Sequence, residues 1–124
     1  MDLFMKCAIE EAEIGLQEGG IPIGSVLVRD GRIIGRGRNR RVQYNDPVLH
    51  AEIDCLRNAG RIQNYAECTL YSTLMPCYLC AGAAVQFGIG KVVAGNRQTS
   101  RERGSSSSPT GSRCSTWTST SAKR

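Results

Sequence analysis

Two short motifs, far apart in the chain, constrain its fold more than any other feature. The first is His50-Ala51-Glu52 and the second is Pro76-Cys77-Tyr78-Leu79-Cys80. His50 is the only histidine among the 124 residues, so no second imidazole competes with it. One imidazole and two thiolates give zinc three protein ligands and leave a fourth position open, as a catalytic rather than a structural site requires. We therefore expect a fold that brings His50, Cys77 and Cys80 around one Zn²⁺ per chain.

Each motif is predicted to stand at the start of a helix. There the backbone N–H groups are unpaired, and the positive end of the helix favours the thiolate forms of Cys77 and Cys80. Glu52 follows His50 by two positions, so its carboxylate is free to reach past the metal. A carboxylate beside metal-activated water can accept a proton and later return it. Glu52 is therefore the predicted catalytic acid and base.

Simpler interpretations exist for each motif alone. A lone histidine is usually a core or surface residue, and a lone C-x-x-C can be redox active or half of a structural zinc site. A structural site needs a fourth ligand, for which the candidates are Cys55, Cys68 and Cys114. None of the three has suitable local spacing. The two motifs together favour the catalytic site.

Periodicity and turn residues predict an α/β domain over residues 1–95. After Asp2, apolar residues recur with a period near 3.6 as far as Leu16, which predicts a first helix that stops at Gly19-Gly20. Further helices are expected over 50–58 and 76–87, and strands over 25–29, 32–38, 68–73 and 91–94. The order α-β-β-α-β-α-β implies a mixed sheet with helices on its faces.

The distribution of charge argues against a nucleic-acid partner. The net charge is +5, but residues 1–95 carry ten basic and ten acidic side chains, which sum to zero. Residues 96–124 carry six basic side chains against Glu102 alone, and so hold the whole excess. A neutral domain is not expected to follow a phosphate backbone.

The start of the chain and its cysteines indicate in which cellular compartment the protein is expected. Asp2 stands near the start and no long apolar run follows, which argues against a signal peptide or a membrane span. Cys7, Cys55 and Cys68 lie in periodic apolar segments, as buried free thiols do. These observations favour a reducing cytoplasm and no membrane partner.

The composition changes after Gly95. Residues 96–124 have only Cys114, Trp117 and Ala122 as apolar side chains, among Ser, Thr, Arg and Gly. Such a stretch buries too little surface to offset its ordering entropy, so a disordered basic tail is expected. Its composition is also typical of a GC-rich coding sequence read out of frame. A frameshift is one hypothesis for this tail, and a natural disordered tail is the other.

Four segments carry a resemblance to a known family: residues 19–24 (GGIPIG), 35–39 (GRGRN), 49–53 (LHAEI) and 70–77 (LYSTLMPC). Through them, residues 1–95 resemble the cytidine/deoxycytidylate deaminase superfamily, in the branch that contains fungal cytosine deaminases and bacterial tRNA adenosine deaminases. The resemblance implies a three-layer α-β-α fold with a mixed sheet. Relatives add a fifth strand and C-terminal helices that nothing in residues 96–124 resembles.

The resemblance also implies roles for individual positions. Asn39 would hydrogen-bond the edge of a pyrimidine, and the backbone amides of Ala51 and Cys77 would orient the base. Ile23 and Leu74 would pack on the ring, although ordinary core positions explain both equally well. Asn39 alternates with Arg36, Arg38 and Arg40, which predicts that it faces inward while the arginines form a solvated face. An RNA contact is the less favoured interpretation of that row.

The implied activity is the zinc-dependent hydrolytic deamination of a free nucleobase, cytosine to uracil with release of ammonia. A small-molecule base is then the partner, and relatives lead us to expect a homodimer. Deamination of tRNA adenosine, guanine or a nucleoside remains open. Outside the enzymes, the alternative is an inactive zinc-binding remnant.

Overall fold

The computed structural model describes residues 2–95, and the expected tail over 96–124 lies outside these residues. The described part contains three helices, four strands and one short 3₁₀ turn. In chain order they are α1 (Leu3–Gln17), β1 (Gly24–Arg29), β2 (Arg32–Arg38), α2 (Ala51–Ala59), a 3₁₀ turn (Tyr65–Glu67), β3 (Thr69–Ser72), α3 (Tyr78–Phe87) and β4 (Lys91–Ala94).

The four strands form one mixed sheet in the order β2-β1-β3-β4. β1 is antiparallel to both β2 and β3, whereas β3 and β4 are parallel and are connected through α3. The β1–β2 hairpin turns at Asp30 and Gly31, which have φ angles of 55° and 74°. Positive φ at both central residues suits the tight hairpin that Asp-Gly predicts. The expected α/β architecture with a mixed sheet is confirmed.

Helices cover both faces of this sheet. On one face α1 contributes Cys7 to a cluster with Val26, Val28 and Ile33. On the other face the side chains of α2 pack on the alternate strand positions. That second cluster comprises Leu27, Cys55, Leu56, Ala59, Cys68 and Leu70, with Ala83 and Ile89 packed against it. The structure therefore has the three layers expected for an α-β-α fold.

Two glycines of β2 let α2 lie directly on the sheet. A Cβ on Gly37 would collide with the backbone of α2 at Asp54 and Cys55, and one on Gly35 would collide with Ala59. Side chains at these two positions would lift the helix away from the strand. The two glycines therefore set how closely α2, from Asp54 to its last residue Ala59, approaches β2.

Most helix boundaries agree with the sequence, and one does not. Asp2 caps α1 by accepting a hydrogen bond from the Phe4 amide at 2.7 Å, as expected for a helix start. However, Pro76 does not begin α3. Cys77 is the N-cap, with extended backbone angles (φ −79°, ψ −177°), so Pro76 lies just before the helix. The 3₁₀ turn was not anticipated, because a turn of this length leaves no periodic pattern.

The expectation of a solvated arginine row is wrong. The side chains of Arg36, Arg38 and Arg40 are only 14–19% exposed. Arg36 and Arg38 pair with Glu10 and Glu11 of α1 and with Glu18, the residue that caps the end of that helix. Arg40 pairs with Asp54 of α2. The row faces helices rather than water, because helices cover both faces of the strand.

The cysteines outside the second motif are buried. Cys55 and Cys68 are free thiols that are 0% and 1% exposed. Cys7 is buried as well, but its sulfur is not free, so the expectation of a free thiol is wrong at that position. Among residues 2–95, no helix is both long enough and apolar enough to cross a bilayer.

Candidate metal centre

The two motifs converge at the starts of α2 and α3. One nitrogen of His50 and the sulfurs of Cys77 and Cys80 all lie within 4.8 Å of one another. Nδ1 of His50 is 3.6 Å from Sγ of Cys77. Cys80 is buried, His50 is half-buried and Cys77 is exposed. The ligand set therefore reaches from the core to the surface.

Local helix geometry explains how the three side chains meet. His50 is the N-cap of α2 and Cys77 the N-cap of α3, and neither side chain makes a capping hydrogen bond to its own helix. Both side chains are therefore available to a ligand. Cys80 lies in the first turn of α3, beside unpaired backbone N–H groups.

The residues fit a zinc ion. Zinc binds imidazole nitrogen at about 2.0 Å and thiolate sulfur at about 2.3 Å in tetrahedral geometry, which places neighbouring donors about 3.5 Å apart. The 3.6 Å separation of His50 and Cys77 agrees with this value. Two sulfurs and one imidazole are donors that suit zinc. They leave a fourth position for water or substrate.

The environment of Cys80 favours a neutral thiol until a cation compensates its charge. Burial raises the pKa of Cys80 well above its ordinary value, and the neighbouring Glu52 carboxylate and Cys77 raise it further. These effects outweigh the helix terminus that was expected to stabilise the thiolate. A metal ion bound here must displace the thiol proton.

Glu52 lies in the first turn of α2 and is only 4% exposed. Its Oε2 accepts a hydrogen bond of 2.9 Å from the Ser72 hydroxyl, at the end of β3. Sequence analysis did not single out Ser72. Its position is detectable in retrospect, because Leu70 and Ser72 are the two inward positions of β3. A polar residue at an inward position just before the Pro-Cys motif indicates a contact with the site.

Asn39 is buried but lies just beyond β2 rather than within it. Its backbone N–H donates to the carbonyl of Ile23 at 2.9 Å, which joins two of the expected substrate-binding positions. Its side-chain Oδ1 accepts from the Arg41 amide at 3.0 Å. The bond from Arg41 fixes Oδ1 on the side of that amide, so Nδ2 of Asn39 points away from it. Among residues 2–95, Nδ2 has no hydrogen-bond partner.

The other expected substrate contacts have simpler surroundings. Ala51 is fully buried as the first residue of α2. Ile23 and Leu74 are both half-buried, Ile23 just before β1 and Leu74 in the loop from β3 to α3. Half-burial is compatible with either a pocket wall or ordinary core packing.

Asp54 is a second buried carboxylate near the centre that the sequence analysis missed. It is 5% exposed, and its Oδ2 accepts from the Arg38 backbone N–H at 3.0 Å and from Nε of Arg40 at 2.9 Å. Asp54 is thus bonded to the residues on both sides of Asn39. The detectable pattern was an acid two positions after Glu52, together with a basic row on the neighbouring strand.

Comparisons with known proteins agree with this geometry. A family model for the cytidine and deoxycytidylate deaminase zinc-binding region matches residues 1–96. Cytosine deaminase of Candida albicans is 42% identical over 94 residues, covering 73% of this chain and 63% of that protein. A tRNA-specific adenosine deaminase of Buchnera aphidicola is 45% identical over 95 residues, covering 74% of this chain and 59% of that protein. The chain therefore spans about three fifths of the length of these relatives.

Solved structures show the same fold. Guanine deaminase from Bacillus subtilis superimposes with a TM-score of 0.71 at 34% identity, covering 84% of this chain and 71% of that one. A tRNA:A34 deaminase superimposes with a TM-score of 0.66 at 37% identity, covering 77% of each chain. The relatives share one fold but act on different bases.

Proposed function

Because the chain belongs to the family of cytidine and deoxycytidylate deaminases defined by this zinc-binding region, we propose that it deaminates a free nucleobase and that the base is cytosine. The observation that carries the proposal is the convergence of His50, Cys77 and Cys80 beside a buried Glu52. The 42% identity to a cytosine deaminase supports the choice of base.

The chemistry divides between the metal and Glu52. His50, Cys77 and Cys80 would hold the zinc ion, which when bound would supply a Lewis acid that lowers the pKa of water. Glu52 accepts a proton from the attacking water and delivers it to N3 of cytosine as the oxygen adds to C4. It then takes the proton of the new C4 hydroxyl and passes it to the 4-amino group. That group leaves as ammonia, and uracil remains.

Other side chains orient the two partners of this reaction. Ser72 holds one carboxylate oxygen of Glu52 through its 2.9 Å hydrogen bond. Asn39 offers its Nδ2 donor to a hydrogen-bond acceptor of the base, such as the C2 carbonyl of cytosine. The backbone amides of Ala51 and Cys77 orient the base, and Ile23 and Leu74 pack on its ring.

A small base suits this chain better than an RNA. Residues 1–95 have equal numbers of acidic and basic side chains. Arg36, Arg38 and Arg40, which would otherwise be available to phosphates, are held in ion pairs with α1 and α2. The 45% identity to a tRNA-specific adenosine deaminase keeps tRNA as the second candidate substrate.

The deciding experiment measures ammonia release by the zinc-loaded, full 124-residue chain. Cytosine, cytidine, guanine and a tRNA anticodon stem are the substrates. We expect the fastest turnover with cytosine and none with Glu52→Gln, while the matched control Glu67→Gln, which alters an exposed carboxylate, keeps full activity. Turnover of the RNA alone, or of guanine alone, contradicts the proposed substrate. Zinc binding without ammonia from any substrate indicates the inactive remnant.

The proposal extends to the oligomeric state of the protein and to its cellular compartment. We expect a cytoplasmic homodimer, as the resemblance implies. The apolar side chains Tyr78 and Val85 of α3 are 98% and 81% exposed, and a second copy would cover such a surface. Light scattering on the purified chain should give twice the monomer mass.

A further inference from the structure

One carboxylate oxygen holds the segment that carries Asn39. Oδ2 of Asp54 accepts from the backbone N–H of Arg38 and from Nε of Arg40, at 3.0 and 2.9 Å. Asn39 stands between these two donors in the chain. Both neighbours of Asn39 are thereby tied to the same atom of α2.

The same segment is tied to the metal centre. The Arg40 backbone N–H donates to the carbonyl of Leu49 at 3.0 Å, and Leu49 directly precedes His50. The Asp54 amide in turn donates to the carbonyl of His50 at 2.8 Å, one helical turn away. His50, the N-cap of α2, and the anchor Asp54 are therefore joined by the first turn of that helix. A rigid turn of helix links them.

The guanidinium of Arg40 is held from two sides. Nε bonds to Asp54, and the guanidinium carbon lies 5.5 Å from the ring centroid of Tyr44. One residue further along, the Arg41 amide bonds to Oδ1 of Asn39 at 3.0 Å and fixes which way the amide group points. The donor Nδ2 is therefore presented in one direction only.

We infer that Asp54 is a positioning residue for base recognition: by bonding to the residues on both sides of Asn39, it sets where the Asn39 amide donor stands relative to the metal centre. The inference rests on the proposed function. It makes the site selective for a base that presents a hydrogen-bond acceptor at that distance from the carbon that reacts. Asp54 touches neither substrate nor metal in this role, so its loss should weaken binding of the base more than it slows the chemical steps.

If Asp54 had a purely structural role, its loss would lower stability without a specific effect on KM. The chain contains a matched control for that case. Glu11 is also a buried carboxylate, 6% exposed, and also accepts from two donors of the β2 segment, Arg36 and Arg38, each at 2.7 Å. It does so from α1, on the opposite face of the sheet from the metal centre. Neutralising Glu11 therefore weakens a comparable ion-pair network, including one to the Arg38 side chain, but leaves both hydrogen bonds to Asp54 in place.

The experiment compares Asp54→Asn and Glu11→Gln in the zinc-loaded full chain, with Arg40→Lys as a second variant that keeps the charge but loses Nε. We expect Asp54→Asn and Arg40→Lys to raise KM for cytosine about fivefold to tenfold, the effect of one weakened hydrogen bond. Their kcat should stay within about twofold of the parent value, with zinc content unchanged. Glu11→Gln should lower the melting temperature without changing KM. An unchanged KM in Asp54→Asn and Arg40→Lys, or an equal rise in Glu11→Gln, overturns the inference.

A readout that needs no activity separates this inference from the proposed function. Amide hydrogen exchange at Arg41 reports the bond to Oδ1 of Asn39. Exchange should be faster in Asp54→Asn than in the parent chain and unchanged in Glu11→Gln. If the parent chain does not turn over cytosine, the proposed substrate is wrong. The exchange rate at Arg41 then decides by itself whether Asp54 positions the Asn39 segment. Equal exchange at Arg41 in both variants overturns the positioning role.

Discussion

The hydroxyl of Ser72 donates a 2.9 Å hydrogen bond to Oε2 of Glu52, and the two side chains are only 0% and 4% exposed. A buried carboxylate with one oxygen held by a neutral donor keeps its other oxygen for a second partner. That arrangement suits a group that must receive and return a proton at a defined place. Ser72 therefore joins the end of β3 to the proposed chemistry.

Replacing Ser72 by alanine should slow catalysis more than it weakens binding. Glu52 would lose the donor that orients it, and we expect kcat for cytosine to fall about tenfold with KM little changed. The control is Ser25→Ala, since Ser25 is equally buried, pairs with Ser72 across β1 and β3, and donates instead to the Tyr71 carbonyl. An equal loss of kcat in both variants would assign Ser72 to stability alone.

Removal of the metal should lower stability as well as activity. A ligand that binds only the folded state at a thousandfold excess over its Kd stabilises by about 4 kcal/mol, so chelation should lower the melting temperature. Cys80→Ser should reduce zinc content from one per chain to near zero. Cys68→Ser, at a buried free thiol outside the centre, should keep its zinc. Retention of zinc by Cys80→Ser would contradict the proposed ligand set.

Acid should weaken the contact between β2 and Glu18, the residue that caps the end of α1. Hydrogen bonds from Arg38 and then Gln43 lower the pKa of Glu18 from 4.5 to about 2. Its stabilising contribution is therefore complete above about pH 4.5 and is lost as the pH falls toward 2. The side chain is 35% exposed, so solvent screening limits the effect to less than about 1 kcal/mol. Denaturant melts of the parent and of Glu18→Gln should differ at pH 6 and converge near pH 2.

Alanine at Gly37 should destabilise the domain, because its Cβ would meet the backbone of α2 at Asp54 and Cys55. Overpacking of this kind costs about 1–3 kcal/mol. Gly82→Ala in α3 is the matched control, since a Cβ there would meet no atom of residues 2–95 within 4 Å beyond its chain neighbours and the backbone of its own helix. It should be neutral or stabilise by up to about 1 kcal/mol. Urea unfolding measures both, and a Gly37→Ala chain as stable as its parent would show that α2 can move away from β2 without loss.

Local patterns in the chain were enough to predict the helices and strands and the candidate metal ligands that they carry. The bounds of β2 and β4 follow from short runs between turn residues, and the Asp30-Gly31 turn adopts the positive φ angles that its residues favour. The convergence of the three candidate metal ligands was also predictable. A C-x-x-C pair and a lone histidine, each predicted at the start of a helix, together favour one shared metal site, and the structure brings their donor atoms within 4.8 Å of one another.

Only the tertiary structure decided which partners the polar side chains take. Alternation along β2 shows that Arg36, Arg38 and Arg40 share one parity, but it does not reveal that α1 and α2 supply carboxylates to them. The contacts of Ser72 with Glu52 and of Asp54 with the Asn39 segment are hidden for the same reason. Helices and turns depend on residues that are close in the chain, whereas these contacts depend on how separate elements pack. No local pattern encodes that packing.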